Sequence, residues 1–119
     1  MEETARLRLV QRKAEDVVVV DLVGNLVVGP ECVKVRQEME SVMGSGCRKI
    51  LLNLAAVNYI DSTGIGVLLA AKISALNRSM QLKVCCVPTF AARLLAQLHL
   101  TKILDTYEQE EPALRSFTK

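Results

Sequence analysis

Asp61-Ser62-Thr63, followed by Gly64-Ile65-Gly66, is the stretch whose residue types and spacing could do chemistry. One carboxylate stands beside two hydroxyls, and two glycines thin the side-chain bulk just after them. An apolar run, Ile50-Leu51-Leu52-Asn53-Leu54, leads in, and an apolar helical pattern leads out. Ser62 is therefore predicted where a strand hands over to a helix. A helix start leaves backbone N–H groups without partners and carries the positive end of the helix dipole, so it tolerates an added anion. The chemistry this predicts is phosphorylation of an exposed Ser62. The plain alternative is a helix N-cap, which Asp61 and Ser62 both make well. Two hydroxyls after one acid exceed what a cap requires, and glycine in the first turns costs helix stability. Gly64 and Gly66 either let another molecule approach the Ser62 hydroxyl or let the helix pack tightly on the sheet.

Other chemistries lack their parts. A Ser-His-Asp hydrolase needs a base in reach of the serine and an elbow of the form G-x-S-x-G. The sole histidine, His99, ends an apolar helical pattern at Gln97-Leu98-His99-Leu100, and no such elbow is present. Gly24-Asn25 is not followed by a P-loop, and Gly64-Ile65-Gly66 is too short for a dinucleotide fingerprint. Cys32, Cys47, Cys85 and Cys86 show no C-x-x-C spacing, so no metal site is predicted. Cys85-Cys86 reads as two small thiols in a strand, facing opposite sides. Glu108-Gln109-Glu110-Glu111 reads as a solvated acidic face, and Lys72, Arg78 and Lys83 as surface. No catalytic residue and no cofactor is expected.

The elements that must position Ser62 follow from periodicity. Arg6 to Arg12 alternates around Leu7, Leu9 and Gln11 and suits an edge strand. Lys13 to Asp16 is turn-like, and the β-branched run Val17 to Val23 pairs back as a hairpin. Gly24-Asn25 is expected to bend the chain before a short extended piece, Leu26 to Val28. Pro30 opens a helix with Cys32, Val35, Met39 and Val42 inward, and Gly44 ends it. Ile50 to Leu54 is a buried strand. The next helix is expected to turn Ile65, Leu68, Leu69, Ile73 and Leu76 to one side, closing at Asn77-Arg78-Ser79. Leu82 to Val87 is a strand, and Pro88 starts a helix with Ala91, Leu94, Leu95 and Leu98 inward. Ile103-Leu104 suits a last short strand, and a terminal helix begins near Glu111 with acids at its positive end. Helices between strands imply mostly parallel pairing. The predicted fold is α/β: one small domain over residues 1–119, with a mixed four- to five-stranded sheet packed against helices.

Composition bounds the function. Of 119 residues 50% are hydrophobic and 24% charged, an ordinary globular balance. Aromatics are 3%, so Val, Leu, Ile, Ala and Met must build the core. A net charge of +2, with no basic stripe among aromatics, argues against direct nucleic-acid binding. No apolar run reaches the roughly 18–20 residues a bilayer span needs, and the acidic start is unlike a secretory signal. Membrane insertion is not expected, and the cytoplasm is the expected compartment.

With Gly24-Asn25-Leu26 after the second strand, the strand Ile50 to Leu54 and the segment Val57 to Gly66, the chain resembles the STAS family. Within it, the chain is similar to the bacterial anti-sigma factor antagonists, along almost its whole length. The resemblance implies a non-enzymatic protein that binds an anti-sigma factor acting as a serine kinase, so freeing a sigma factor for transcription. It implies Ser62 as phosphoacceptor with Thr63 as a secondary one, Asp61 positioning the site, and a serine phosphatase reversing the modification. Gly24, Asn25, Gly64 and Ile65 would lie in the partner surface. Many members carry an acid soon after the Gly-x-Leu turn; Val27 and Val28 stand here, so contacts on that side are expected to differ. The alternative is a STAS subunit of another signalling or transporter-associated complex.

Overall fold

The β-branched run at Val17 organises the sheet. In the computed structural model, which describes residues 7–117, it forms β2 (Val17–Leu26), paired antiparallel with β1 (Arg8–Ala14). The other edge of β2 pairs parallel with β3 (Lys49–Ile60). β4 (Gln81–Cys85) and β5 (Thr106–Tyr107) extend the sheet in parallel, giving the order β1-β2-β3-β4-β5. The helices are α1 (Pro30–Gly44), α2 (Ser62–Asn77), α3 (Thr89–Gln97), α4 (Thr101–Leu104) and α5 (Glu110–Ser116).

The strand order never reverses, so right-handed crossovers lay the helices that follow β2, β3 and β4 on one face. Their core joins Val20, Leu22, Leu52 and Leu54 of the sheet to Val35, Met39, Leu68, Ala75, Leu95 and Leu104. Small α5 covers part of the opposite face, where Ala113 meets Val17, Val19, Leu51 and Cys85. With both faces covered, Val17 to Val20 are all buried instead of alternating.

Several elements differ from expectation. Gly24-Asn25 does not bend the chain away. Both stay in β2, whose pairing with β3 shifts register between them, and Gly24 takes φ 123°. β1 runs on through Lys13-Ala14; Arg6 lies outside the described residues. β3 reaches Ile60, well past Leu54. Ile103-Leu104 is helical, because Leu104 turns into the core ahead of a left-handed Asp105, and the short strand follows at Thr106. On α2 the buried row is Gly64, Ile65, Val67, Leu68, Ala71, Lys72 and Ala75, leaving Ile73 and Leu76 outside. On α3 only Ala91 and Leu95 are fully buried; Leu98 is exposed.

Two charged groups expected at the surface tie the layers together. Lys72 is buried, its Nζ donating to the Leu82 carbonyl at 2.6 Å and to Asp105 Oδ2 at 3.4 Å. Glu110 accepts from Arg12 Nη1 at 3.0 Å and from Asn53 Nδ2 at 2.7 Å. Arg12 also grips Asp21 through Nε at 2.7 Å and Nη2 at 3.0 Å. This network pins α5 to the sheet. The bonds from Arg12 hold the Glu110 carboxyl below its ordinary 4.5, against the opposing effect of burial and with help from Asn53. A depressed folded-state pKa adds stability above the unfolded value, and that stability is lost as pH falls through the folded value. Glu110→Gln should therefore lower the melting temperature at pH 7. In paired thermal melts across pH, its gap to the parent protein should close as pH drops below 4.5.

Candidate functional site

Leu26 and Ile60 sit opposite each other where the parallel strands β2 and β3 end. Asp61 follows, still extended, and caps α2: its Oδ1 accepts from the Gly64 N–H at 2.9 Å. Its other oxygen, Oδ2, accepts from the Val28 N–H at 2.9 Å. The Asp61 N–H donates to the Leu26 carbonyl at 3.3 Å, and its own carbonyl accepts from Ile65 at 3.0 Å. One residue thus binds the exit of β2, the end of β3 and the first turn of α2. The two backbone donors, Val28 first and Gly64 second, pull the Asp61 carboxyl below its ordinary value. Beyond Val28, Cys32 donates its thiol to the Val27 carbonyl at 3.0 Å, which fixes the entry to α1.

Ser62 and Thr63 open α2, and both are exposed. The free N–H groups expected around an anion on Ser62 are partly taken: the Gly64 N–H already serves Asp61. The two glycines answer the two readings separately. A Cβ on Gly64 would collide with the Leu26 carbonyl oxygen and lie 2.9 Å from Leu26 Cγ and 3.0 Å from Ile60 Cγ2. Gly64 is there so that α2 can pack on the sheet. A Cβ on Gly66 would meet nothing within 4 Å. Gly66 is exposed, and its approach is open. Ile65 is buried in the core, and Gly24 is buried inside β2 opposite Val57, with half-buried Asn25 opposite Tyr59. Gly24, Gly64 and Ile65, expected in a partner surface, are therefore buried and present no side chain to a partner.

The family model of the STAS domain matches residues 8–113. The chain belongs to the STAS family, among its anti-sigma factor antagonists. An anti-sigma F factor antagonist from Paenibacillus polymyxa is 33% identical over 81 residues, 67% of this chain and 69% of that protein. The crystal structure of an anti-sigma factor antagonist from Mycobacterium paratuberculosis shares the fold with a TM-score of 0.81, at 18% identity, covering 94% of each chain. The Bacillus cell fate determinant SpoIIAA in its phosphorylated form matches with a TM-score of 0.69 at 15% identity, over 92% of this chain and 96% of that one.

Two features of the STAS domain surface escaped sequence reasoning. Val28 reaches Asp61 through its backbone N–H, which carries no side-chain signal. Tyr59 and Phe90 stack in solvent, with ring centroids 6.0 Å apart and planes 14° from parallel. The chain holds two Tyr and two Phe, so a scarcity of aromatics could have flagged the pair. His99 is exposed just past α3, in a left-handed conformation (φ 61°) that closes the helix. Cys85 is fully buried, and burial pushes its thiol up, while Cys86 next to it is half-buried. Among the described residues no group of three or more His, Cys, Asp or Glu could hold a metal ion, and no helix is long and apolar enough to cross a membrane.

The glycines give a paired test. Gly64→Ala should cost about 1–3 kcal/mol in denaturant unfolding, because the obstruction includes backbone. Gly66→Ala should stabilise by about 0.5–1 kcal/mol, since alanine is the better helix former where space is free.

Proposed function

We propose that this STAS domain is a phosphorylation-switched antagonist: it binds an anti-sigma factor that is also a serine kinase, and phosphorylation of Ser62 ends the complex. The supporting observation is an exposed Ser62 hydroxyl held at the start of α2 beside the Asp61 carboxylate. The kinase transfers the γ-phosphoryl group of ATP to Ser62 Oγ, releasing ADP and the hydroxyl proton. A serine phosphatase restores the alcohol by hydrolysis. Thr63, exposed next to it, is the secondary acceptor. The cycle belongs in the cytoplasm, where ATP and sigma factors meet.

The physics favours a switch in binding over one in folding. Phosphate adds about −1.5 to −2 charge at neutral pH. At an exposed helix start the dipole offsets some of this, and the neighbouring Asp61 carboxylate opposes it. Both effects are screened in water, so the free domain changes little. In an interface the dianion loses its water and faces an ionised Asp61, which costs several kcal/mol. A loss of about 4 kcal/mol weakens binding roughly a thousandfold.

Ser62→Asp should weaken binding to the anti-sigma factor by about a hundredfold or more in titration calorimetry, with a nearly unchanged melting temperature. Unfolding by Ser62→Asp would refute the local account. Ser62→Ala should retain the partner, so its use as an affinity bait identifies the anti-sigma factor. The purified kinase with ATP should modify the parent protein and not Ser62→Ala. Phosphate found by peptide mass spectrometry at Thr63 alone would overturn the assignment.

A further inference from the structure

Helix α2 is apolar on two sides. Its inner side, with Gly64, Ile65, Leu68, Ala71 and Ala75, closes the core. Its outer side carries exposed Ser62, Gly66, Ile73 and Leu76 in one row, with half-buried Leu69 between them packing against the core. Ile73 is 56% exposed and Leu76 60% exposed. The one charged residue of α2, Lys72, turns inward to the Leu82 carbonyl. The 16 residues of α2 thus show water no charge, in a chain that is 24% charged. By contrast, α1 exposes Lys34, Arg36 and Glu40. A solvent-facing helix ordinarily puts charge on its outer face, and absence of charge marks the centre of protein interfaces.

What covers this row follows from where it begins; the step rests on the reading that a kinase acts on Ser62. A standard interface takes about 800 Å² from each partner, a disc of about 16 Å radius. At the rise of an α-helix, Ile73 lies about 16 Å along α2 from Ser62. A kinase whose footprint, about 32 Å across, runs from Ser62 down α2 covers Gly66 and Ile73 and reaches Leu76, about 21 Å from Ser62. At Gly66 the open space admits another backbone closely. A second copy packed α2 against α2 about a two-fold axis would set each Ser62 against Leu76 and shield the hydroxyl from any kinase.

We propose that the outer row of α2, Gly66-Ile73-Leu76 with the half-buried Leu69 beneath it, is the docking track for the anti-sigma factor kinase, which lays an uncharged segment along it with its active site over Ser62. The test uses the intact domain and the purified kinase. Ile73→Glu and Leu76→Glu, both at exposed positions, should leave the melting temperature unchanged. Each should raise the dissociation constant at least tenfold and lower kcat/KM for Ser62 phosphorylation by the same factor, chiefly through KM. Ile73→Leu should restore binding, and Val10→Glu, an exposed apolar site on β1, should leave it intact. If Ser62→Asp weakens binding while Ile73→Glu and Leu76→Glu do not, the track is wrong and the switch stands. If Ser62→Asp has no effect and Ser62 is never phosphorylated, the switch fails and the track falls with it. Sedimentation showing a dimer that Ile73→Glu splits would assign the row to a second copy and overturn the proposal.

Discussion

A single carboxylate holds together the end of this domain where β2 and β3 stop and α2 begins. Asp61 takes one N–H from Val28 and one from Gly64, while its backbone joins Leu26 to the first turn of α2. Parallel strands β2 and β3 must end side by side for this to happen, and α2 must start within one residue of the end of β3. Remove the carboxylate, and two backbone donors at a loop and a helix start lose their partners together. The placement of Ser62 is therefore inherited from Asp61. So is its electrostatic setting: the residue that builds the site also makes it a poor home for a second negative charge in any place without water.

The sheet supplies the rigidity behind this junction. α2 lies so close to β2 that Gly64 is the residue that fits over the Leu26 carbonyl. Buried Lys72 fastens the same helix to the start of β4 and to Asp105. On the other face, the Arg12, Asp21, Asn53 and Glu110 network keeps the seven residues of α5 over a small second core. Such polar ties contribute little each when exposed. Their value here is geometric, since a short helix with few apolar contacts gains its position from them. The result is a stiff platform with an exposed serine at the start of α2, a helix whose one charged side chain is turned inward.

Much of the fold was legible in the sequence, and the errors share a cause. Hairpin, α1 and the order of strands and helices follow from β-branched runs, Pro30 and Gly44. Where the chain is apolar in every direction, periodicity loses its contrast. Along α2, Ile73 and Leu76 fit an inward row as well as Leu68, Ala71 and Ala75 do, and packing against the sheet chose the latter. At Ile103-Leu104 a two-residue apolar signal could not separate a turn of helix from a short strand. Gly24-Asn25 has turn chemistry, yet continued pairing with β3 outweighed it and turned the glycine to a register shift. Lys72 and Glu110 look like surface charge by type; their roles come from partners 10 and 98 positions away.

The sequence by itself determined the α/β class, the handover from strand to helix at Asp61-Ser62, and the family to which the chain belongs. These depend on local propensity and on residues adjacent in the chain. Only the tertiary structure decided that Gly64 serves packing while Gly66 stays open, that Val28 completes the Asp61 cap, and that Ile73 and Leu76 on α2 remain exposed. Each of those depends on which distant backbone lies against a given residue, and a linear pattern carries no measure of that distance.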